Sequence, residues 1–190
     1  MAIRTLVKRL YRALNPGLVR GRKGFADTRG QRTHVIILDG TMSTLKPGCE
    51  SNAGLTYRLL EEAADPSMSI YYEAGLQWQD WRSTRDVIAV RGINRQIRRA
   101  YGYLASRYHP GDRIILMGYS RGAFAVRSLA GVIDRIGLLR AAEATERNVE
   151  LAYRHYRADE PTEAGRAFAR ALCHEDVEIE MVGGWGAVKA

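Results

Sequence analysis

Apolar positions along the chain alternate between short continuous runs and helical spacing. Val35-Ile36-Ile37-Leu38, opened by His34, is continuously apolar and ends at Asp39-Gly40-Thr41. That is the pattern of a strand buried on both faces of a parallel sheet. Residues 52–63 (NAGLTYRLLEEA) predict a helix that closes near Asp65-Pro66, and Met68 to Tyr72 a second strand with Glu73-Ala74-Gly75 as the turn after it. Residues 76–91 read as a polar loop carrying Trp78 and Trp81, either a cap, a lid or a packed surface loop. From Gly92 onward, Ile93, Ile97, Ala100, Tyr101, Leu104 and Tyr108 mark an amphipathic helix that closes at His109-Pro110-Gly111-Asp112.

Arg113 to Met117 is a third strand, and Gly118-Tyr119-Ser120-Arg121-Gly122 follows it at once. A helix is expected from Ala123 to about Arg135, two more over 141–157 and 161–173, and a fourth strand over Val177 to Val182 leading into Gly183-Gly184-Trp185-Gly186. Strands alternating with helices predict an α/β fold with a mainly parallel sheet flanked by helices.

Composition adds few constraints. With 46% hydrophobic and 26% charged residues the chain suits one ordinary globular domain, which excludes a disordered or collagen-like chain. Cys49 and Cys173 are too few and too far apart for a metal knuckle or a disulfide framework, and read as thiols of a reducing compartment. No run of about 18 apolar residues predicts a membrane-spanning helix.

The net charge of +8 changes the picture only once it is located. Residues 1–32 carry nine basic side chains against Asp27 alone, and the other 158 residues carry 20 of each sign. Ile3, Leu6, Val7, Leu10, Tyr11 and Leu14 recur at helical spacing with Arg4, Lys8, Arg9 and Arg12 between them, until Asn15-Pro16-Gly17 stops the helix. Residues 1–17 thus predict a basic amphipathic helix, residues 18–32 a Gly/Arg linker and residues 33–190 the folded domain. Such a helix either packs on the domain or meets a partner or an anionic membrane surface. Nucleic acid is not expected as a partner, because the arm lacks base-stacking aromatics and the body is neutral. No secretory signal core interrupts this pattern, so a cytoplasmic protein is expected, exportable as an effector without a signal peptide.

The chemistry gathers at Ser120. Gly118-x-Ser120-x-Gly122 between a buried strand and a helix is a nucleophile-elbow pattern. Glycines two residues before and after the serine remove side chains that would collide across the tight turn, and the helix that follows aims its amides at the same point. The amide of Arg121 and a loop after an earlier strand, Gly40-Thr41-Met42, are the expected oxyanion donors. The competing reading of Asp39-Gly40-Thr41 is a simple turn in which Asp39 accepts local amides. Arg121 and Arg127 either meet an anionic substrate group or brace the elbow by pairing with Asp39 or Asp134. No phosphate-loop or dinucleotide fingerprint occurs, since Lys189 stands where the third glycine would fall, and no His/Asp/Glu group has metal-ligand spacing; no cofactor and no metal are expected.

The run GYSRGAFAVRSLAGVIDRIGLL (118–139) closely resembles a bacterial and fungal family of α/β-hydrolase-like domains that includes catalytic domains of type VI secretion phospholipase effectors. LDGT (38–41), YYEAG (71–75), AYGYLASRYHPGDRI (100–114) and GGWGAVKA (183–190) are similar to further blocks of that family, in the same order. The resemblance implies an α/β-hydrolase fold and hydrolysis of a lipid or carboxylic ester through a Ser–His–Asp triad. It also marks two departures. The family's Gly-x-Trp-Asp-Thr-Val block has its acid where Gly186 stands, with Ala187 in place of Thr, and the histidine that should follow the acid is absent beyond His174. His34, His109, His155 and His174 read as surface or capping residues. Two explanations follow: a hydrolase domain incomplete at its C-terminus, which the four strand candidates favour, or a catalytically inactive binding domain on the same fold.

Overall fold

The computed structural model describes residues 30–75 and 85–187, the side chains of 85–91 excepted. The basic helix of 1–17, most of the 18–32 linker and the Trp78/Trp81 loop lie outside these residues.

Among the described residues four strands, β1 (Thr33–Leu38), β2 (Met68–Glu73), β3 (Arg113–Tyr119) and β4 (Ile179–Trp185), form one all-parallel sheet in the order β2-β1-β3-β4. Among the described residues five α-helices connect or flank them: α1 (Asn52–Ala63), α2 (Arg85–Ala105), α3 (Arg121–Ile136), α4 (Glu146–Tyr156) and α5 (Glu163–Leu172). This is an α/β-hydrolase-like arrangement. Every residue of β1 is buried, as its continuous apolar run requires of a strand with neighbours on both sides and helices on both faces.

Chain direction fixes which helix covers which face. The step from β1 to β2 and the step from β2 to β3 run in opposite directions across the sheet, so right-handed crossovers put α1 on one face and α2 and α3 on the other. Ile36, Leu38, Ile114 and Leu116 accordingly join Ile97, Leu104, Val126 and Leu129 in the main core. The alternate residues Val35, Ile37, Ile115 and Met117 are buried on the opposite face with Ala53 and Leu60 of α1. Each such aliphatic side chain contributes about 1.5–3 kcal/mol on burial.

Several boundaries differ from the sequence reading. Residues 85–91 belong to α2 rather than to a loop. The elbow helix begins at Arg121, directly after the serine. The helix expected over 141–157 starts only at Glu146, after a 3-10 turn over Ala141–Glu143. The last strand takes in Gly183, Gly184 and Trp185, which had read as a turn, because a Cβ at Gly184 would lie 3.2 Å from that of Ala123 and the bare backbone lets β4 run close beneath α3. The linker ends earlier than its composition suggests: the Arg32 amide donates to Asp112 Oδ1 at 2.9 Å and its carbonyl accepts from Arg113 at 2.8 Å.

His34 is buried rather than a surface residue. Its Nε2 meets Asp112 Oδ2 at 3.0 Å beneath the amino-terminal edge of the sheet. No helix among the described residues is long and apolar enough to cross a membrane.

Candidate active site

Because β1 and β3 are neighbours whose connections leave in opposite directions, the topological switch point of the sheet lies at their carboxyl ends. In open α/β sheets this is where ligands bind. The loop after β1 and the β3–α3 turn both face it.

Ser120 is the single residue between β3 and α3, with φ 54° and ψ −119°. A non-glycine residue there is strained by roughly 1–3 kcal/mol and persists only where its surroundings over-determine it. They do so on three sides. A Cβ at Gly118 would sit 2.4 Å from the Gly122 carbonyl oxygen, and one at Gly122 would sit 2.0 Å from that of Leu38, so neither position accepts a side chain. The Ser120 amide donates to the Trp185 carbonyl at 2.8 Å, which ties the turn to the end of β4. The Ser120 carbonyl accepts from Ala123 at 3.1 Å and starts the helix. Ser120 itself is half-buried.

The β1 loop lies directly against this turn. A Cβ at Gly40 would be 2.9 Å from Tyr119 Cδ1 and 3.1 Å from Ser120 Cβ, and a Cβ at Gly75, after β2, would be 2.0 Å from the Gly40 carbonyl oxygen. Three strand ends therefore converge on Gly40. Met42 follows with φ 60° and an exposed side chain, and Thr41 is half-buried between them.

Asp39 holds the loop in place. It is 1% exposed, and Oδ1 accepts from the Gly40 amide and the Ser51 hydroxyl, each at 2.7 Å. Oδ2 accepts from Tyr72 Oη at 2.8 Å. Ser51 caps α1 with the same oxygen, accepting from Gly54 at 3.0 Å. Tyr72 stacks on Tyr57 at 4.7 Å. Burial and the Asp39 carboxylate push the Tyr72 phenol up, which keeps it a donor. The local-turn reading of Asp39 thus holds for one bond, while the other partners come from α1 and β2. Nothing in the local sequence around Asp39 signals Ser51 or Tyr72.

The remaining candidates divide. Arg121 is half-buried at the first position of α3. Its amide and that of Gly122 belong to the first turn of α3, at the positive end of the helix. Arg127 is exposed and pairs with neither Asp39 nor Asp134 among the described residues. Gly186 follows β4 at φ 52°, where a Cβ would lie 4.0 Å from Tyr119 Cε2. Gly186 is therefore beside the elbow and brings no carboxylate to it.

No histidine reaches this edge of the sheet. His34 and His109 lie at the amino-terminal edge around Asp112, whose Oδ2 also accepts from the His109 amide at 3.0 Å. His174 packs edge-on to Tyr108 at that same end, and His155 packs against Phe168 between α4 and α5. No cluster of three or more potential metal ligands occurs among the described residues.

Comparison with known proteins adds a family. Residues 32–190 match the model of the type VI secretion phospholipase effector Tle1-like catalytic domain. An uncharacterised protein of Saccharomyces cerevisiae, YEL023C, is 31% identical over 137 residues, which cover 64% of this chain and 20% of the yeast protein. The chain thus spans about a fifth of that relative's length. No solved structure matches it.

Proposed function

The chain belongs to the family of Tle1-like phospholipase effector catalytic domains, and from that premise we propose that it cleaves carboxylic esters of phospholipids by acyl transfer to Ser120. Membership places it among lipase-like hydrolases in general, and the serine step is the finer reading. The observation that carries it is the strained Ser120 backbone, φ 54°, held at the β1/β3 switch point against Gly40.

In this reading Ser120 Oγ adds to the ester carbonyl carbon while its proton passes to a base. The carbonyl oxygen becomes an oxyanion and takes amide hydrogens from Arg121 at the α3 start and from Thr41 and Met42. The Gly40 amide is left out, because Asp39 already holds it. Collapse expels the lipid alcohol with the transferred proton, and water then hydrolyses the acyl-serine to release a fatty acid. Residues 33–190 would form the catalytic domain, and the basic helix of 1–17, joined through 18–32, would draw it to anionic membrane. Deleting residues 1–20 should then weaken binding to anionic liposomes. The protein would be cytoplasmic where it is made and exportable as an effector.

One observation favours a second reading, a phospholipid-binding domain without turnover. Gly186 supplies no acid, and the four histidines sit on other elements. A serine-directed fluorophosphonate decides between them. The first reading expects one adduct on the intact chain that disappears in Ser120→Ala. No adduct on the folded chain leaves the binding reading.

A further inference from the structure

Away from Ser120, two confluent cavities lie on the helical face of the domain. The larger, about 480 Å³, opens between α2 and α4 and is lined by Arg98, Arg154 and Arg157, with Glu150 as its carboxylate among the described residues. The smaller, about 220 Å³, lies between α2, α3 and α4 and is bounded by Ile93, Phe124, Ser128 and Tyr156. Asn94, Tyr153 and Arg157 border both. Tyr153 Oη donates to Asn94 Oδ1 at 2.7 Å and so forms a fixed polar bridge where the two halves meet.

The charge is unbalanced toward cation. Glu150 meets Arg154 only at 3.8 Å, with both side chains well exposed, a pair worth little. Arg98 Nε is buried with no hydrogen-bond acceptor among the described residues. A buried donor left unmade costs free energy, and Arg98 forms no ion pair with a carboxylate among the described residues. Arg98 and Arg157 both act on the Tyr153 hydroxyl, each opposing the upward push of burial on its pKa. Their positive potential therefore converges on the bridge. The volume falls within the range of small-molecule sites, about 300–1,000 Å³, and one half is cationic while the other is lined by aromatic and aliphatic carbon.

We infer that this cleft binds an anionic amphiphile, a phosphate or carboxylate oxyanion seated on Arg98, Arg154 and Arg157 with a short apolar chain in the annex beside Phe124 and Ser128. Guanidinium forks suit either oxyanion, since both accept paired N–H bonds. The annex is small and half-open, so it takes a short chain segment rather than a whole acyl tail. The site is separate from Ser120 and does not depend on the serine being a nucleophile.

The test is calorimetric titration of the full chain with decyl phosphate, decanoate, inorganic phosphate and uncharged decanol. Both amphiphilic anions should bind below their micellar concentration, inorganic phosphate more weakly and decanol not measurably. Arg98→Gln with Arg157→Gln should weaken decyl phosphate by about tenfold or more, the scale of one lost charge-assisted hydrogen bond. Ser128→Phe, which fills the annex, should weaken decyl phosphate and leave inorganic phosphate unchanged. Ser120→Ala should bind as the wild type does. Thermal melts of each variant check folding, and Arg98→Lys keeps the charge should the double variant fail to fold; it should retain binding with reduced affinity. Equal affinity for decanol and decyl phosphate, or unchanged affinity in both the arginine and the Ser128 variants, overturns the inference.

Discussion

The amide of Ser120 donates to the carbonyl of Trp185 at 2.8 Å. The nucleophile candidate and the residue preceding Gly186 are thereby parts of one hydrogen-bonded unit, although 65 positions separate them. The turn at Ser120 is held by β1 beneath it, by α3 after it and by the last residue of β4 beside it. Loosening any one should release strain that the other two cannot hold.

That strain is measurable. Replacing Ser120 by glycine removes the positive-φ penalty along with the hydroxyl. Ser120→Gly should raise the urea midpoint, by about 1 kcal/mol of stability, while eliminating fluorophosphonate labelling. A lower midpoint would mean that the backbone at 120 stores no strain.

The glycines flanking the serine differ sharply from the glycines of β4. Gly122→Ala sets a methyl against the Leu38 carbonyl at 2.0 Å, with backbone on both sides and nothing flexible to yield. It should cost about 3 kcal/mol or more, at the upper end for overpacking. Gly183→Ala meets nothing nearer than 3.8 Å and should change stability by less than about 0.5 kcal/mol. Equal costs in denaturant titrations would show that the crowding at Gly122 relaxes freely.

Asp39 sets the β1 loop rather than reacting. Asp39→Ala leaves the hydroxyls of Ser51 and Tyr72 and the Gly40 amide without their acceptor, and should cost about 2–3 kcal/mol. Tyr72→Phe removes one donor and should cost about 1 kcal/mol. In the phosphonate assay both variants should label more slowly than wild type at equal folded fraction, because the Thr41 and Met42 amides lose their positioning.

Gly186 offers a gain rather than a loss. Its φ of 52° is one that aspartate tolerates better than most residues, and its side-chain direction opens near Tyr119. Gly186→Asp should fold with a penalty of about 1 kcal/mol. It should not by itself raise turnover above that of the wild type, because the imidazole that an acid would orient is not at this edge. Faster turnover in Gly186→Asp than in the wild type would mean that a base within reach of position 186 responds to the new carboxylate.

Acid should destabilise the domain through His174. Burial, together with the positive charges of Arg140 and His109, holds its pKa below the ordinary histidine value. The unfolded chain therefore binds a proton at His174 more readily than the folded one does. This contribution to stability is complete above about pH 6.5 and is lost as pH falls toward the lowered folded value. Urea midpoints at pH 7.5 and 5.5 should differ more for wild type than for His174→Gln.

The legible parts of this fold were those where one physical signal dominates. β1 and β3 are buried on both faces, so continuous apolar runs revealed them. The tight strand-to-helix turn over 118–122 was legible because a turn with no room for Cβ leaves glycine at both flanks. The end of β4 was misplaced because it runs through Gly183 and Gly184, the second of which lets the strand pass close to Ala123, and glycine carries no hydrophobic signature. The start of α2 was missed because Val87, Ile88 and Val90 are β-branched and Gly92 follows, so local propensity argued against the helix that forms. The partners of Asp39 and of His34 come from distant segments, and no spacing announces contacts that only the folded sheet brings about.

The complete enclosure of β1 has a consequence outside the folded state. Residues 35–38 of β1 and 114–117 of β3 are short, uncharged and β-branched or aliphatic, without proline. Those are the features of segments that stack into cross-β assemblies when exposed. Central parallel strands also pair late, because each waits on a crossover of a dozen or more residues. During synthesis or refolding, then, the two strands that cradle the serine are the chain's main aggregation hazard. Conditions that slow collapse of α2 and α3 onto them should lower yield before they lower the stability of what has folded.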